Sequence, residues 1–221
     1  MTLSIRKFIK WNAKLPCLRT DAYGFVWTKN RNFADMMPFV RSEAPDCLTV
    51  IAPSTWPLGK ECDRETRKRL FEASGDRCAF CDGLMKITSK ATVEHFRPKS
   101  KFPSLKAVWS NLFPCCDQCQ SAKLEKFDEA LLKPDEASYS FLKYFVCNFR
   151  SGEIEIDPNS APDEQIRAAI TIQIYSLNAT PRCNARRKER RHWLAEVSQF
   201  GQGSVELTDL DDWQFRFFLQ R

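Results

Sequence analysis

The sequence predicts an α+β fold built around a metal-stapled core, and three observations support this prediction. Two Cys-x-x-Cys pairs flank a stretch that contains His95, one of only two histidines in the 221 residues. Short segments with alternating apolar residues predict strands, and longer segments carry residues that start and stop helices. A chain of this length suffices for one hydrophobic core, or for one core with an appendage.

Composition and charge are those of a soluble globular protein. Hydrophobic residues make up 43% of the chain and charged residues 28%, which argues against global disorder. The net charge of +6 weakly favours polyanionic partners such as nucleic acid. The segment Met1–Lys10 is interrupted by cations before a signal-peptide core develops, and no stretch is long enough to span a bilayer. We therefore expect a cytoplasmic protein with no membrane partner.

In that reducing setting the ten cysteines are not expected to form a disulfide framework. The Cys-x-x-Cys spacing lets two thiolates reach one tetrahedral ion, and two pairs complete a closed zinc site: Cys78, Cys81, Cys116 and Cys119. Cys115 is an alternative to Cys116, although Cys-x-x-Cys gives the better geometry. A redox role is disfavoured, because no thioredoxin-like βαβ pattern surrounds either pair. The scattered cysteines are predicted to be small buried hydrophobic residues: Cys17, Cys47, Cys62, Cys147 and Cys183.

Residues 1–60 are predicted to form an N-terminal docking or packing segment. They are rich in aromatic residues and prolines and show no catalytic spacing. A short amphipathic helix is predicted at Ile5–Trp11. Short strands and loops are predicted at Tyr23–Trp27 and Leu48–Ile51.

Residues 61–130 are predicted to form the core that carries the cysteine knuckles. A helix is predicted over Arg64–Ser74, with Asp63 as its N-cap and Gly75 in the left-handed position just past its end. This helix leads into the first knuckle, Arg77–Gly83, where a glycine permits a tight turn.

The segment Ile87–Phe96 predicts a hairpin in which Val93 and His95 share one face. Strict alternation would place Glu94 on the other face. Glu94 and His95 can therefore serve one site only if the strand ends or twists there, and Pro98 is well placed to end it.

A helix running from Asp117 toward Phe127 is predicted to complete the core. Residues 131–221 are then predicted to form a hairpin and a basic helical extension. The hairpin strands are Tyr144–Asn148 and Glu153–Ile156. A further helix starts with Pro162 at its first position. Its apolar side is predicted to contain Ile166, Ile170 and Ile174.

The segment Arg182–Arg191 contains six cations and one acid, and the apolar residues that follow it indicate a helix with a buried seam. Two interpretations remain open for the charges: a solvated face, as charge runs usually are, or a phosphate-binding face. His192 is expected on the surface, and the tail Trp213–Leu219 is expected to pack onto the core.

Four motifs taken in order resemble the HNH nucleases: Cys78-x-x-Cys81, Glu94-His95-x-x-Pro98, Asn111, and Cys116-x-x-Cys119-x-x-x-Lys123. The fuller string Val93–Ser100, together with Trp109–Leu112, resembles the PtuB-like branch of Septu-type anti-phage systems and of retron systems. The resemblance implies a ββα-metal (HNH, His-Me finger) core over residues 61–130, stapled by the zinc site.

The resemblance also implies a metal-dependent endonuclease that hydrolyses phosphodiester bonds of nucleic acid in antiviral defence. His95 would act as general base, Asn111 would orient the His95 ring, and Glu94 would ligate a catalytic Mg²⁺ or Mn²⁺. The family places its second ligand for this ion directly after the last cysteine, where this chain has Gln120. Asp117 is an alternative ligand, although a carboxylate at a helix start has a simpler explanation.

Basic residues are expected to line the path of the phosphate backbone: Arg97, Lys99, Lys101, Lys123, Arg182, Arg186, Arg187 and Arg190. The nucleic acid would be DNA or a structured RNA such as tRNA, and nothing in the chain resembles an element that reads bases. The implied partner is a PtuA-like ATPase, in some systems with a retron reverse transcriptase and its msDNA. The alternative function is a catalytically weak, zinc-stabilised module that binds nucleic acid or the partner, and Gln120 is its only support.

Overall fold

The computed structural model describes residues 39–85, 90–200, 210 and 212–219, which all lie in one compact unit. Several expected features lie outside these residues: the helix at Ile5–Trp11, the strand at Tyr23–Trp27, Cys17, and the start of the hairpin at Ile87. In the described part of the chain, no helix has both the length and the apolarity needed to cross a membrane.

The fold is mixed α+β, with two separate two-stranded antiparallel sheets among the described residues. Its helices and strands, in chain order, are α1 Asp46–Val50, α2 Lys60–Ser74, β1 Ala91–His95, β2 Leu112–Cys116, α3 Asp117–Lys123, α4 Phe141–Tyr144, β3 Phe145–Asn148, β4 Glu153–Ile156, α5 Pro162–Ile174 and α6 Thr180–Phe200.

The segment before α2 differs from its prediction. Leu48–Ile51 was expected to belong to short strands and loops, but residues 46–50 form α1, in which the Leu48 amide donates to the Pro45 carbonyl over 2.9 Å. Arg41 anchors this region to the core, since its guanidinium donates to the carbonyl oxygens of Trp109 and Leu112 over 2.6 and 2.9 Å. These contacts tie residue 41 to the end of the segment 96–111 and the start of β2.

Helix α2 ends as predicted but starts earlier. Gly75 has a φ of 59°, and its amide reaches back to the carbonyl oxygens of Glu72 and Phe71. The helix begins at Lys60 after Gly59, so Asp63 lies inside it and pairs with Arg67 over 2.7 Å instead of acting as N-cap. A carboxylate in the first turn is favourable at either place, so the pattern did not identify the starting residue.

Two half-buried cysteines do not behave as expected. Cys47 and Cys62 form a disulfide, which corrects the prediction that each is an isolated buried hydrophobic residue. The bond joins α1 to α2 and closes a loop that contains Trp56. Cys183 is buried and free, as predicted, whereas Cys147 is only half-buried and its Sγ donates to the Phe217 carbonyl over 3.6 Å.

Among the described residues, strand β1 pairs with the distant strand β2. The pairing is antiparallel, with Ala91 opposite Cys116 and His95 opposite Leu112. The long segment 96–111 connects the two strands and contains two short 3₁₀ turns. The pairing therefore brings the end of β1, with His95, beside the start of β2.

The predicted second hairpin is confirmed as β3 and β4, with Phe145 opposite Ile156. Gly152 lies at its turn with a φ of 83°. A Cβ atom there would lie 2.3 Å from the Cys183 carbonyl oxygen, so only glycine allows α6 to approach the turn this closely.

Helix α5 begins with Pro162, as predicted, but its buried face is not the predicted one. Ile166 is 58% exposed, whereas Ala168 and Thr171 are buried with Ile174. Residues four apart drift around a helix of 3.6 residues per turn, so the isoleucine row leaves the buried face at its N-terminal end. The tail packs onto the core as expected, with Phe215, Phe218 and Leu219 buried.

Candidate functional site

Four cysteine sulfurs converge in the core as the spacing predicts. The Sγ atoms of Cys78, Cys81, Cys116 and Cys119 all lie within 4.8 Å of one another, and all four residues are buried. The second pair straddles the start of α3, where Cys116 is the N-cap and its Sγ accepts from the Cys119 amide over 3.4 Å. Cys115, the alternative ligand, lies outside this group and its Sγ donates to the Cys116 carbonyl.

The cluster is suited to a metal such as zinc. Burial raises the pKa of the Cys78 thiol, but hydrogen bonds from neighbouring thiols outweigh burial and hold its pKa well below the usual value. Hydrogen bonds to the other sulfurs raise the pKa of Cys119 well above its usual value, and burial adds to that effect. A divalent ion bound by all four sulfurs as thiolates would displace the protons that thiols with raised pKa values retain.

Three arginines expected at the nucleic acid lie inside the protein. Arg182, Arg186 and Arg190 are 4%, 0% and 8% exposed. They lie four residues apart on the face of α6 that meets the rest of the fold, and each donates to main-chain carbonyls. Guanidinium groups used in this way hold the fold together and cannot contact a phosphate backbone, which corrects this part of the prediction.

Arg182 also lies in the field of the cysteine cluster. Burial lowers its pKa, but electrostatic interaction with the cluster cysteines, first of all Cys119 and Cys81, outweighs burial, and the pKa is raised overall. A four-thiolate zinc site carries net negative charge, so Arg182 is placed to offset part of it.

Lys123, which was also expected at the nucleic acid, is fully buried. Its ammonium group donates to Glu94 Oε1 and to the His95 carbonyl oxygen, each over 2.8 Å. Arg97 is half-buried, forms an ion pair with Glu129 and lies over the rings of Phe102 and Phe127. Among the expected contacts, Lys99, Lys101 and Arg187 are exposed.

Glu94, His95 and Gln120 line one open cavity of about 400 Å³. Strand β1 ends at His95, the point where the prediction needed the strand to end. Around the cavity lie residues that no sequence motif identified, namely Trp56 from the N-terminal segment and Arg67 from α2. Lys90, Lys99 and Glu125 contribute to the lining as well.

The His95 ring is held from two sides. Its Nε2 lies 2.9 Å from the Lys106 carbonyl oxygen, and the Trp56 ring packs edge-to-face against it at 4.4 Å between centroids. No group in the described part of the chain hydrogen-bonds to the other ring nitrogen, Nδ1. Burial lowers the pKa of His95 to about 4, and the charges of Lys99 and Lys123 contribute. The ring is therefore neutral at pH 7.

Asn111 acts on the connecting segment and does not touch the ring it was expected to orient. Its Oδ1 accepts from the Arg97 amide over 2.8 Å. Its Nδ2 donates to the carbonyl oxygens of Arg97 and Leu105 over 3.1 and 3.0 Å. Because Leu105 precedes Lys106, Asn111 fixes the backbone that presents the carbonyl partner of His95.

Glu94 and Gln120 lie side by side in the cavity. Burial raises the pKa of Glu94, while the charge of Lys123 and hydrogen bonds from Lys123 and Gln120 oppose that shift. The Gln120 amide nitrogen donates to the Val93 carbonyl over 3.0 Å, and no described residue donates to its carbonyl oxygen. Asp117, the alternative metal ligand, is not among the residues that line the cavity.

Comparison with known proteins gives one limited similarity. No protein-family model matches the chain. The chain is 23% identical over 111 residues to the Septu protein PtuB of Bacillus mycoides (strain KBAB4). This match covers 44% of the chain and 38% of the PtuB protein, so it spans well under half of that relative. It supports a PtuB-like relationship.

Proposed function

We propose that the chain is a metal-dependent HNH endonuclease that hydrolyses phosphodiester bonds of nucleic acid and serves as an effector in antiviral defence. The observation that supports this most is the setting of His95. One ring nitrogen is engaged by the Lys106 carbonyl, and the ring lines the cavity that also contains Glu94 and Gln120.

The order of elements around the cavity supports an HNH-type core. The antiparallel strands β1 and β2 are followed directly by α3, which contacts both strands. His95 is the last residue of β1, and Gln120 lies on α3. A ββα-metal core uses this order of strand, strand and helix, with its base on the first strand and a metal ligand on the helix.

His95 would act as the general base. With its Nε2 hydrogen directed to the Lys106 carbonyl, its Nδ1 is the proton acceptor. A low pKa keeps the imidazole unprotonated at neutral pH, so Nδ1 can take a proton from an attacking water. Trp56 and the Lys106 carbonyl prevent the ring from rotating away from that water.

The oxygens in the cavity fit a hard divalent cation. Glu94 would hold Mg²⁺ or Mn²⁺ through the carboxylate oxygen that Lys123 does not bind, and Gln120 through its carboxamide oxygen. Such an ion supplies charge neutralisation at phosphorus and at the leaving oxygen when bound. The cysteine cluster would carry zinc with a structural role only, because its four sulfurs leave no open position.

The exposed cations around the cavity are the best candidates for contacts with phosphates. Lys99 and Lys90 are exposed and line the cavity, and Arg67, which pairs with Asp63, lines it as well. Lys101 and Arg187 remain candidates farther along the backbone path. Such contacts position a strand without reading its sequence, so both DNA and a structured RNA such as tRNA are consistent with this surface.

The PtuB similarity extends the proposal to partners. The chain would work with a PtuA-like ATPase, and in a retron setting with a reverse transcriptase and its msDNA. Residues 1–60 and the C-terminal region are the proposed docking surfaces.

A cleavage assay tests the proposed function. DNA and tRNA are incubated with Mg²⁺ or Mn²⁺ and with protein purified together with its genomic-neighbour ATPase, using wild type, His95→Ala and His192→Ala. Losing a general base lowers the rate by about 10²–10⁴-fold. We expect this loss for His95→Ala only, because His192 is exposed and lies outside the cavity. Equal cleavage by wild type and His95→Ala would exclude His95 from the mechanism.

The contact between Lys123 and Glu94 favours a second candidate function, a zinc-stabilised module that binds nucleic acid or the ATPase without cleaving. In that case Lys123 neutralises Glu94 and the cavity needs no cation. The same assay distinguishes the two functions, because the module would bind labelled nucleic acid and show no cleavage that depends on both His95 and a divalent ion.

A further inference from the structure

The pairing of β1 with β2 determines which backbone groups of β1 remain without a strand partner. Pro114 has no amide hydrogen, and it lies opposite Val93. The backbone N–H and C=O groups of Val93 and His95 therefore point away from β2. Two backbone hydrogen bonds at even-numbered positions of this segment, Lys90 and Phe96, agree with this alternation. The Asp117 amide donates to the Lys90 carbonyl, and the Phe96 amide donates to the Asn111 carbonyl. The carbonyls of Val93 and His95 thus lie on the open edge of the sheet.

Helix α3 supplies partners for both of these carbonyls through side chains one turn apart. The Gln120 amide donates to the Val93 carbonyl over 3.0 Å, and the Lys123 ammonium donates to the His95 carbonyl over 2.8 Å. These two bonds tie α3 to the end of β1. A buried carbonyl without such a partner would be unfavourable.

Besides its bond to the His95 carbonyl, Lys123 makes a second bond that is not needed to satisfy the open edge of β1. The same ammonium lies 2.8 Å from Glu94 Oε1, and its side chain is completely shielded from solvent. One buried cation thereby contacts the side chain of Glu94 and the backbone of His95, the two adjacent residues that share the cavity.

We propose that Lys123 is a positioning residue for the cation site, which fixes the Glu94 carboxylate and the His95 backbone in a single arrangement. This inference rests on the proposed function, since Glu94 is a metal ligand only under that proposal. Lys123 takes one carboxylate oxygen, Oε1, and leaves the other as the oxygen that would hold the ion. It touches neither substrate nor metal and acts through Glu94.

A charged group is not needed at this place for packing alone. Replacing a buried ion pair with apolar residues is often neutral or stabilising, so a fully buried ammonium is weak evidence for a purely structural role. Outer partners of metal ligands, in contrast, typically change metal affinity or activity by about 10–100-fold when they are removed.

The test uses Lys123→Met, Lys123→Arg and the matched control Lys126→Met. Lys126 is an exposed lysine three residues farther along whose ammonium donates to the Ala122 carbonyl. Mn²⁺ binding is measured on each full-length protein by the electron paramagnetic resonance signal of free Mn²⁺, and zinc content and thermal midpoint are measured on the same samples. Cleavage rates are recorded as a function of Mn²⁺ concentration.

We expect Lys123→Met to weaken Mn²⁺ binding by about 10–100-fold and to shift the Mn²⁺ dependence of cleavage equally. Lys123→Arg keeps a cation with several donors and should recover part of the loss, whereas Lys126→Met should match wild type. A folded, zinc-loaded Lys123→Met protein with wild-type Mn²⁺ affinity would overturn the inference.

A second measurement needs no substitution and covers the case in which Lys123→Met fails to fold. In wild type, the ¹⁵N NMR signal of the Lys123 ammonium should exchange slowly with solvent and should broaden when Mn²⁺ is added. The exposed Lys126 ammonium should exchange rapidly with solvent. A Lys123 signal that exchanges rapidly or is insensitive to Mn²⁺ would also overturn the inference.

The two proposals fail separately. Mn²⁺ binding that depends on Lys123, without cleavage that depends on His95, would remove the nuclease function and leave the positioning role in place. Cleavage that depends on His95, with Mn²⁺ binding that does not depend on Lys123, would support the nuclease function and exclude the positioning role.

Discussion

Asn111 and Arg97 exchange two hydrogen bonds, from the Arg97 amide to the Asn111 side chain and from that side chain back to the Arg97 carbonyl. They close the base of the segment that connects β1 to β2. Since Asn111 also holds Leu105, its effect reaches the Lys106 carbonyl and through it the His95 ring. Asn111 thus helps to position the imidazole through the backbone of residues 105 and 106, and not through a hydrogen bond to the ring.

Asn111→Ala should therefore reduce both stability and cleavage. Three backbone groups lose a buried partner, which costs about 1–3 kcal/mol in the free energy of unfolding for each group left unsatisfied. Asn111→Asp keeps the acceptor for the Arg97 amide but places a carboxylate oxygen against the carbonyls of Arg97 and Leu105, so it should also be less stable than wild type. Chemical denaturation and single-turnover cleavage measure the two effects, and an unchanged rate in a stably folded Asn111→Ala protein would contradict this role.

The low pKa of His95 should make the fold acid-sensitive. The unfolded chain binds a proton at this residue below a pH of about 6.5. The folded chain binds it only near a pKa of about 4. The unfolded state therefore holds more protons between these values, and the free energy of unfolding falls as pH drops through that window and is unaffected above it.

Comparison with a variant isolates this contribution, because other groups titrate equally in both proteins. Between pH 7.5 and 5, wild type should lose about 2 kcal/mol more than His95→Gln. Urea denaturation at each pH gives the difference, with His192→Gln as control. A stability gap between wild type and His95→Gln that does not change with pH would show that the ring is not buried in its neutral form.

Removal of zinc should disrupt the candidate site as well as the knuckles. Cys116 ends β2 and Cys119 lies in the first turn of α3, so the cluster holds both elements that complete the cavity. We expect one zinc ion per chain, which is lost in Cys119→Ser together with cooperative thermal unfolding. Cys115→Ala, which changes a buried cysteine outside the cluster, should keep the zinc. Full zinc content in Cys119→Ser would refute the assignment.

Arg186 and Arg187 should behave oppositely although they are neighbours. Arg186→Met removes bonds to the carbonyls of Gly152 and Leu177 and should lower the free energy of unfolding by about 2–3 kcal/mol. Arg187 is exposed, so Arg187→Met should change stability by less than about 0.5 kcal/mol. If Arg187 contacts a phosphate, its loss should reduce the salt dependence of nucleic-acid binding by about one ion. Equal stability of the two variants would contradict the burial of Arg186.

The sequence predicted those features that depend on residues close together in the chain. The spacing of Cys78/Cys81 and Cys116/Cys119 reflects the reach of two thiolates to one ion, so the cluster could be predicted. Gly75 marked the end of α2, and Pro162 marked the start of α5, for equally local reasons. Glu94 and His95 line one cavity, and the sequence argument for this needed only that the strand end at His95.

Non-local partners were not predictable from the sequence. The pairing of β1 with β2 depends on residues beyond a long connection, so the segment before His95 resembled half of a local hairpin. The cations of α6 do not indicate which face will be covered, because the carbonyls that cover Arg186 and Arg190 come from residues 152, 177 and 218. Trp56 carries no motif and is recognised only by its contact with His95.

The tail of the chain reaches back to the first knuckle. Asp82, which follows Cys81, accepts hydrogen bonds from the backbone and guanidinium of Arg216, 134 positions away, and its carbonyl accepts from the Phe215 amide. During synthesis on the ribosome, the turn after Cys81 therefore gains its hydrogen bonds to Phe215 and Arg216 only after almost the entire protein has emerged. A truncation before residue 215 would remove these hydrogen bonds and would destabilise the Cys78/Cys81 turn.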